Sequence, residues 1–135
     1  MELFKKVLDS KNPEEIYENL IILGKSLPLF PSDKKNEDSL VLGCQSVMHL
    51  TYVLEGDKLY FYCDSEALIS KGIAAFCIHL LNGLTAESIL KHQLEEIKAL
   101  NLPIILSPSR SNGLKSLLQK MKTYALKELM IKSKQ

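Results

Sequence analysis

Apolar positions recur along this chain with two different periods. Between Asn12 and Gly24, Ile16, Leu20 and Leu23 fall at helical spacing, and Tyr17 and Ile21 widen the stripe. Asn12 stands as the cap, Pro13 suits the first helical position, Glu15 lies three residues past the cap, and Gly24 is expected to end the helix. From Val47 to Leu54 the period shortens to two, with Met48, Leu50, Tyr52 and Leu54 on one face and Val47, His49, Thr51 and Val53 on the other. Leu59 to Cys63 is a second strand rich in aromatic residues, and Glu55-Gly56-Asp57-Lys58 between the two reads as a hairpin turn. A third strand is expected around Ser39 to Leu42. The polar, proline-bearing stretch from Lys25 to Ser39 reads as a surface loop, with Leu27, Leu29 and Phe30 pinning its start to the core.

Glu66 to Leu81 is apolar nearly all round, as in a central buried helix, and Asp64 or Ser65 is its expected cap. Lys71-Gly72 interrupts it. A mid-helix glycine costs about 1 kcal/mol against alanine, so a close approach by other backbone is expected there. Asn82-Gly83 closes the helix. Thr85 caps a short helix over about 86–91, another covers about 93–100, and Leu102 to Leu106 with Pro103 forms an apolar connector. Ser107 to Leu114 then leads into a long last helix whose buried stripe is Leu114, Leu117, Leu118, Met121, Ala125 and Leu129. Its basic face, Lys115, Lys120, Lys122 and Lys127, reads as solvated, with docking to an acidic partner as the alternative.

The length of 135 residues fits one domain spanning 1–135 with a real core. A formal net charge of +1 supplies no field for nucleic acid. No apolar run is long enough to span a bilayer, and the N-terminus resembles neither a signal nor a transit peptide. Three cysteines, odd in number and widely spaced, suit a reducing cytoplasmic compartment better than a disulfide framework.

The candidate chemistry centres on Cys44. It sits beside Gly43 where a loop enters the strand beginning near Val47, and the glycine bends the backbone and uncovers the sulfur. A small buried cysteine at a strand edge is the alternative. Nearby positive charge would lower the thiol pKa, and the candidates are Lys71, Arg110 and the histidines. Arg110 stands at a helix start, where it does not help the macrodipole; a positioned role and a plain surface arginine both fit. Residue inventory also admits a cysteine-nucleophile hydrolase pairing Cys44 with His49, His79 or His92, although no local signature supports it. His49 reads as a strand-face residue, His79 as a core or rim residue, and His92 as exposed. Cys44, Cys63 and Cys77 are too dispersed for the usual zinc pattern, and Cys63 and Cys77 read as core fillers.

Gly43-Cys44-Gln45-Ser46, Asp64-Ser65-Glu66-Ala67, Lys71-Gly72-Ile73 and Leu106-Ser107-Pro108-Ser109-Arg110-Ser111-Asn112-Gly113-Leu114 occur in the order seen in the SufE family. The chain resembles that family over nearly its whole length. The resemblance implies an α+β fold shared with NifU/IscU-type scaffolds, a small antiparallel sheet packed against helices. It implies a sulfur acceptor that is not itself an enzyme. Such a protein stimulates a pyridoxal-phosphate-dependent cysteine desulfurase of the SufS type, takes its persulfide sulfur onto Cys44 and passes it to a downstream iron–sulfur scaffold complex. Gly43, Gln45, Ser46, Asp64, Lys71 and Arg110 are then the residues expected to support the acceptor loop. Asp64 is expected to cap the central helix and Arg110 to lie near Cys44. No cofactor, metal, nucleic acid or membrane enters this reading, and an iron–sulfur scaffold of the same fold is its rival. The family often has Trp where His49 stands, Gly where Cys63 stands and Asp where Glu66 stands.

Overall fold

The computed structural model describes residues 2–43, 46–100 and 107–134, the side chain of Ser109 excepted. Helices α1 (Glu2–Leu8) and α2 (Pro13–Lys25) open the chain. The Asn12 side chain accepts the Glu15 N–H at 2.9 Å, and the Glu15 carboxylate accepts the Lys11 N–H at 2.8 Å, so two donors at the start of α2 are satisfied. Helix α1 has no counterpart in the sequence reading. It buries Val7 and stacks Phe4 on Phe76 with ring centroids 4.6 Å apart.

The hairpin forms as its alternation predicts. Strands β1 (Met48–Glu55) and β2 (Lys58–Ser65) pair antiparallel from Glu55↔Lys58 to Met48↔Ser65, and Gly56 takes φ +65° in the turn. Met48, Leu50, Leu59, Phe61 and Cys63 bury on the inner face. The third strand is not Ser39–Leu42. It is β3 (Leu84–Thr85), on the far side of β2, giving the order β1-β2-β3. Residues 39–42 make only a bridge, Leu40↔His49, with the Val41 N–H donating to the Met48 carbonyl at 2.9 Å. The next outward carbonyls of β1 are taken by side chains: Tyr124 Oη donates to Leu50 at 2.8 Å and Lys34 Nζ to Tyr52 at 3.1 Å. These donors blunt an edge that a longer strand would otherwise extend.

Helix α3 (Leu68–Leu81) crosses the inner face and is buried from Gly72 to Ile78. It begins after Ala67, which makes no side-chain cap, so Asp64 does not cap it. Strand β2 runs through Ser65, and alternation turns Ser65 inward and Asp64 outward, away from the helix. Ser65 Oγ instead accepts the Ala67 N–H at 3.3 Å. The close approach expected at Gly72 is real: a Cβ there would stand 2.2 Å from the Leu20 carbonyl oxygen. Gly24, expected to end α2, is buried within it and faces the same crossing; the helix runs on to Lys25.

Helices α4 (Ala86–Lys91), α5 (Glu95–Ala99) and α6 (Pro108–Ser133) complete the fold. Thr85 caps α4 by accepting the Ser88 N–H at 3.2 Å. The connector 102–106 lies outside the described residues. Leu117, Met121 and Ala125 of α6 are buried, as its stripe predicts. Its basic face is not simply solvated. Lys122 Nζ donates to the Leu90 and His92 carbonyls at 3.4 and 3.2 Å, and Lys120 Nζ to the Asp38 carbonyl at 2.8 Å. Lys115 and Lys127 are exposed as expected.

Candidate functional site at the open end of the hairpin

The loop that carries Cys44 enters β1 at the open end of the hairpin, opposite the Gly56 turn. Cys44 and Gln45 lie outside the described residues, so the expected absence of a histidine partner for Cys44 and the expected closeness of Arg110 to it fall there too. The flanks are described. Gly43 is exposed with φ +86°, and a Cβ on it would come 2.9 Å from Ser116 Oγ of α6. Only a glycine takes that backbone conformation at no steric cost. Ser46 is half-buried in a bend. Leu42 is 79% exposed and Val47 63% exposed, so bulky apolar side chains stand in solvent on both sides of the loop. Leu68, at the start of α3, is also exposed, and Leu29, expected to pin its loop to the core, is 94% exposed; Leu27 packs on the core, while Phe30 is directed to His49 on the outer face of the sheet.

Beside this loop, β1 and β2 turn His49 and Asp64 to the outer face as direct cross-strand partners. Lys35, from the loop before β1, forms an ion pair with Asp64. Its hydrogen bond holds the Asp64 carboxyl below the usual carboxylate range; partial burial opposes this, and the charges of Lys35, Lys71 and His49 add to it. His49 Nδ1 lies 2.7 Å from Ser39 Oγ, which donates in turn to the Asn36 carbonyl at 2.9 Å. The Phe30 ring lies 6.1 Å from that of His49. This cluster fastens the segment 30–39 onto the sheet just before the acceptor loop begins.

Of the residues expected to support the loop, Asp64 and Lys71 are thus brought into one electrostatic neighbourhood, and Gly43 stands where an added Cβ would meet Ser116 of α6. Arg110 is exposed in the first turn of α6, its backbone N–H donating to Ser107 Oγ at 3.3 Å; it precedes Ser116 by six residues, about 9 Å along the helix. Lys35, Ser39, Ser116 and Lys120 were not singled out for this site from the sequence. Lys35 and Ser39 come from a polar loop without periodicity, and the two helix residues meet the loop only through long-range folding.

The other thiols are set apart. Cys63 and Cys77 are buried, and burial pushes the Cys77 thiol well above its ordinary range, which disfavours a reactive thiolate. His79 sits at the rim with its ring 4.2 Å from that of Phe4, and burial lowers its pKa. His92 is half-buried rather than exposed, because its Nδ1 accepts the Leu94 N–H at 2.9 Å. Among the described residues, no three His, Cys, Asp or Glu side chains are gathered to hold a metal ion, and no helix is long and apolar enough to cross a membrane.

A three-stranded antiparallel sheet backed by helices, with an exposed glycine-bearing loop entering at its open end, defines an α+β protein. The chain belongs to the SufE family, an Fe-S metabolism associated domain, which matches residues 1–125. It is 37% identical over 106 residues to the sulfur acceptor protein CsdE of Escherichia coli, covering 77% of this chain and 72% of that one. It is 33% identical over 136 residues to the cysteine desulfuration protein SufE of Wigglesworthia glossinidia brevipalpis, covering 99% and 94%. A solution structure of a hypothetical protein from Thermus thermophilus shares the fold, with a TM-score of 0.75 and 24% identity over 96% of this chain and 92% of that one.

Proposed function

We propose that this chain, acting as one domain over residues 1–135, is a sulfur acceptor for a pyridoxal-phosphate-dependent cysteine desulfurase in the cytoplasm, and that Cys44 is the accepting thiol. The observation that carries the reading is the flank of the loop within a chain of this family: Cys44 follows a glycine at φ +86°, between Leu42 at 79% and Val47 at 63% exposure. Exposed apolar side chains of this kind mark a surface that a partner covers. The Cys44 thiolate attacks the outer sulfur of the desulfurase persulfide. The S–S bond of that persulfide breaks, its inner sulfur leaves as a thiolate, and Cys44 becomes the persulfide. No oxidant or reductant is consumed. In this reading Gln45 and Ser46 support the acceptor loop, while Lys71 and Arg110 supply positive charge for the thiolate. The sulfur then passes to a scaffold complex that assembles iron–sulfur clusters.

The reading is tested by mass spectrometry after incubation with a desulfurase and cysteine. Wild type gains sulfur at Cys44, and Cys63→Ala and Cys77→Ala still do so. Cys44→Ser, nearly isosteric, folds and gains none. Sulfur appearing on Cys63 or Cys77 of the Cys44→Ser protein would overturn the assignment.

A further inference from the structure

One row of α6 runs beneath the segment that leads into Cys44. Ser116, Lys120 and Tyr124 are spaced by four residues and so share a face of the helix. Tyr124 Oη donates to the Leu50 carbonyl and also reaches the Asp38 carbonyl, at 2.8 and 3.4 Å. Lys120 Nζ donates to that same Asp38 carbonyl at 2.8 Å and lies 5.0 Å from the centroid of the Tyr124 ring. One helical turn earlier, Ser116 Oγ fills the space beside Gly43. The opposite side of the segment is held by β1, through Ser39 Oγ on His49 and the Val41 N–H on the Met48 carbonyl. Residues 38–41 are therefore held by α6 on one side and by β1 on the other, shortly before Cys44.

We propose that this row positions the acceptor loop for its partner, with Lys120, which donates to the Asp38 carbonyl, as the positioning residue. The inference rests on the reading of Cys44 as the acceptor. A lysine on a helix face normally keeps its ammonium in water. Here the ammonium is committed to one loop carbonyl and the face of one ring. A loop ordered in advance loses less conformational freedom when a partner's active site closes on it, so the seat on α6 acts on docking. Ser116 limits how closely a side chain at position 43 could approach α6, because a Cβ on Gly43 would stand 2.9 Å from its hydroxyl oxygen.

Lys120→Met and Lys120→Arg are compared with wild type by hydrogen exchange of the full chain and by sulfur transfer from a desulfurase. Lys120→Met is expected to speed exchange in residues 38–47 by about fivefold or more and to leave the hairpin 51–63 unchanged. In transfer it raises KM for this protein about fivefold while kcat stays within about twofold, and Lys120→Arg restores KM. Ser116→Ala, which keeps the helix, gives a smaller change in the same direction. Unchanged exchange in 38–47, or KM and kcat falling together with no rescue by arginine, would overturn the proposal. A wild-type protein that gains no sulfur would sink the acceptor reading instead, and the exchange arm would still decide whether α6 seats the loop.

Discussion

Gly24 and Gly72 face each other where α2 crosses α3: a Cβ on Gly24 would stand 2.8 Å from the Gly72 amide nitrogen. A Cβ on Gly72 would stand 2.2 Å from the Leu20 carbonyl oxygen, again against backbone. Backbone atoms cannot rotate out of the way as the end of a side chain can. The two glycines thus set how closely α2 lies on the helix that backs the sheet, and Lys71, beside Gly72, takes its position from the same crossing.

Gly72→Ala is therefore expected to cost about 3 kcal/mol, near the upper end for overpacking, which for this length lowers Tm by about 10 °C. Gly24→Ala costs less, because its Cβ meets backbone at 2.8 Å rather than 2.2 Å, while alanine returns about 1 kcal/mol of helix propensity at either position. Thermal melts followed by circular dichroism check both. A Gly72→Ala protein melting within two or three degrees of wild type, roughly 1 kcal/mol, would show that the helices can part cheaply.

This crossing also shows what could be read in advance. A glycine inside the apolar run 66–81 is costly, so Gly72 announced a close approach. Its partner Gly24 lies at the end of a periodic stripe, where a capping glycine and a packing glycine give the same local signal. The hairpin was legible because alternation and turn chemistry agree. Helix α1, with seven residues, is too short to show a period. An acidic residue before a helix suggests a cap at Asp64, whereas β2 continues two residues past Cys63 and carries the carboxylate to the other face. The cysteine motif stood out locally. The side chains that seat its loop, Lys35, Ser39, Ser116 and Lys120, converge from both sides of the hairpin in sequence, and no spacing rule links them.

The Lys35–Asp64 pair makes a prediction about acid. The folded-state pKa of Asp64 is lowered, so the stability it contributes is full above the ordinary carboxylate value and is lost as pH falls through the lowered one. Both side chains are substantially exposed, which limits the contribution to about 1 kcal/mol or less. Asp64→Asn is expected to lower stability slightly at pH 7 and to make the decline below about pH 4 shallower than in wild type. Urea titrations at pH 7 and pH 3 measure this. An equal stability difference at the two pH values would show that the variant acts through something other than the charge.

Tyr52 makes the opposite prediction at high pH. Its hydroxyl donates to Glu128 at 2.8 Å, and burial first, then Glu128, push its phenol pKa upward. A raised value means that the stabilising contribution is full below about pH 10 and is lost as pH rises through the folded-state value. Tyr52→Phe removes a hydrogen bond to a charged acceptor and is expected to cost about 2 kcal/mol at pH 7. The variant should also lack the part of the alkaline decline that belongs to this group. Melts across pH 7 to 11 decide it, and a Tyr52→Phe protein as stable as wild type at pH 7 would count against the bond.

The last prediction concerns the glycine beside the cysteine, where two costs are stacked and can be separated. An L-residue at φ +86° is strained whatever surrounds it, by about 1–2 kcal/mol. The added Cβ also meets Ser116 Oγ at 2.9 Å, a side-chain atom that a second substitution can remove. Gly43→Ala should therefore disturb the loop more than strain alone requires. Gly43→Ala with Ser116→Gly should recover the contact part and keep the backbone part, although the new glycine in α6 itself costs about 1 kcal/mol. A double-mutant cycle on Tm cancels that helix cost, because Ser116→Gly alone carries it as well. Hydrogen exchange over residues 40–47 gives the local readout. Strict additivity in the cycle, with the loop disturbed equally in the single and the double variant, would mean that the acceptor loop does not rest on Ser116.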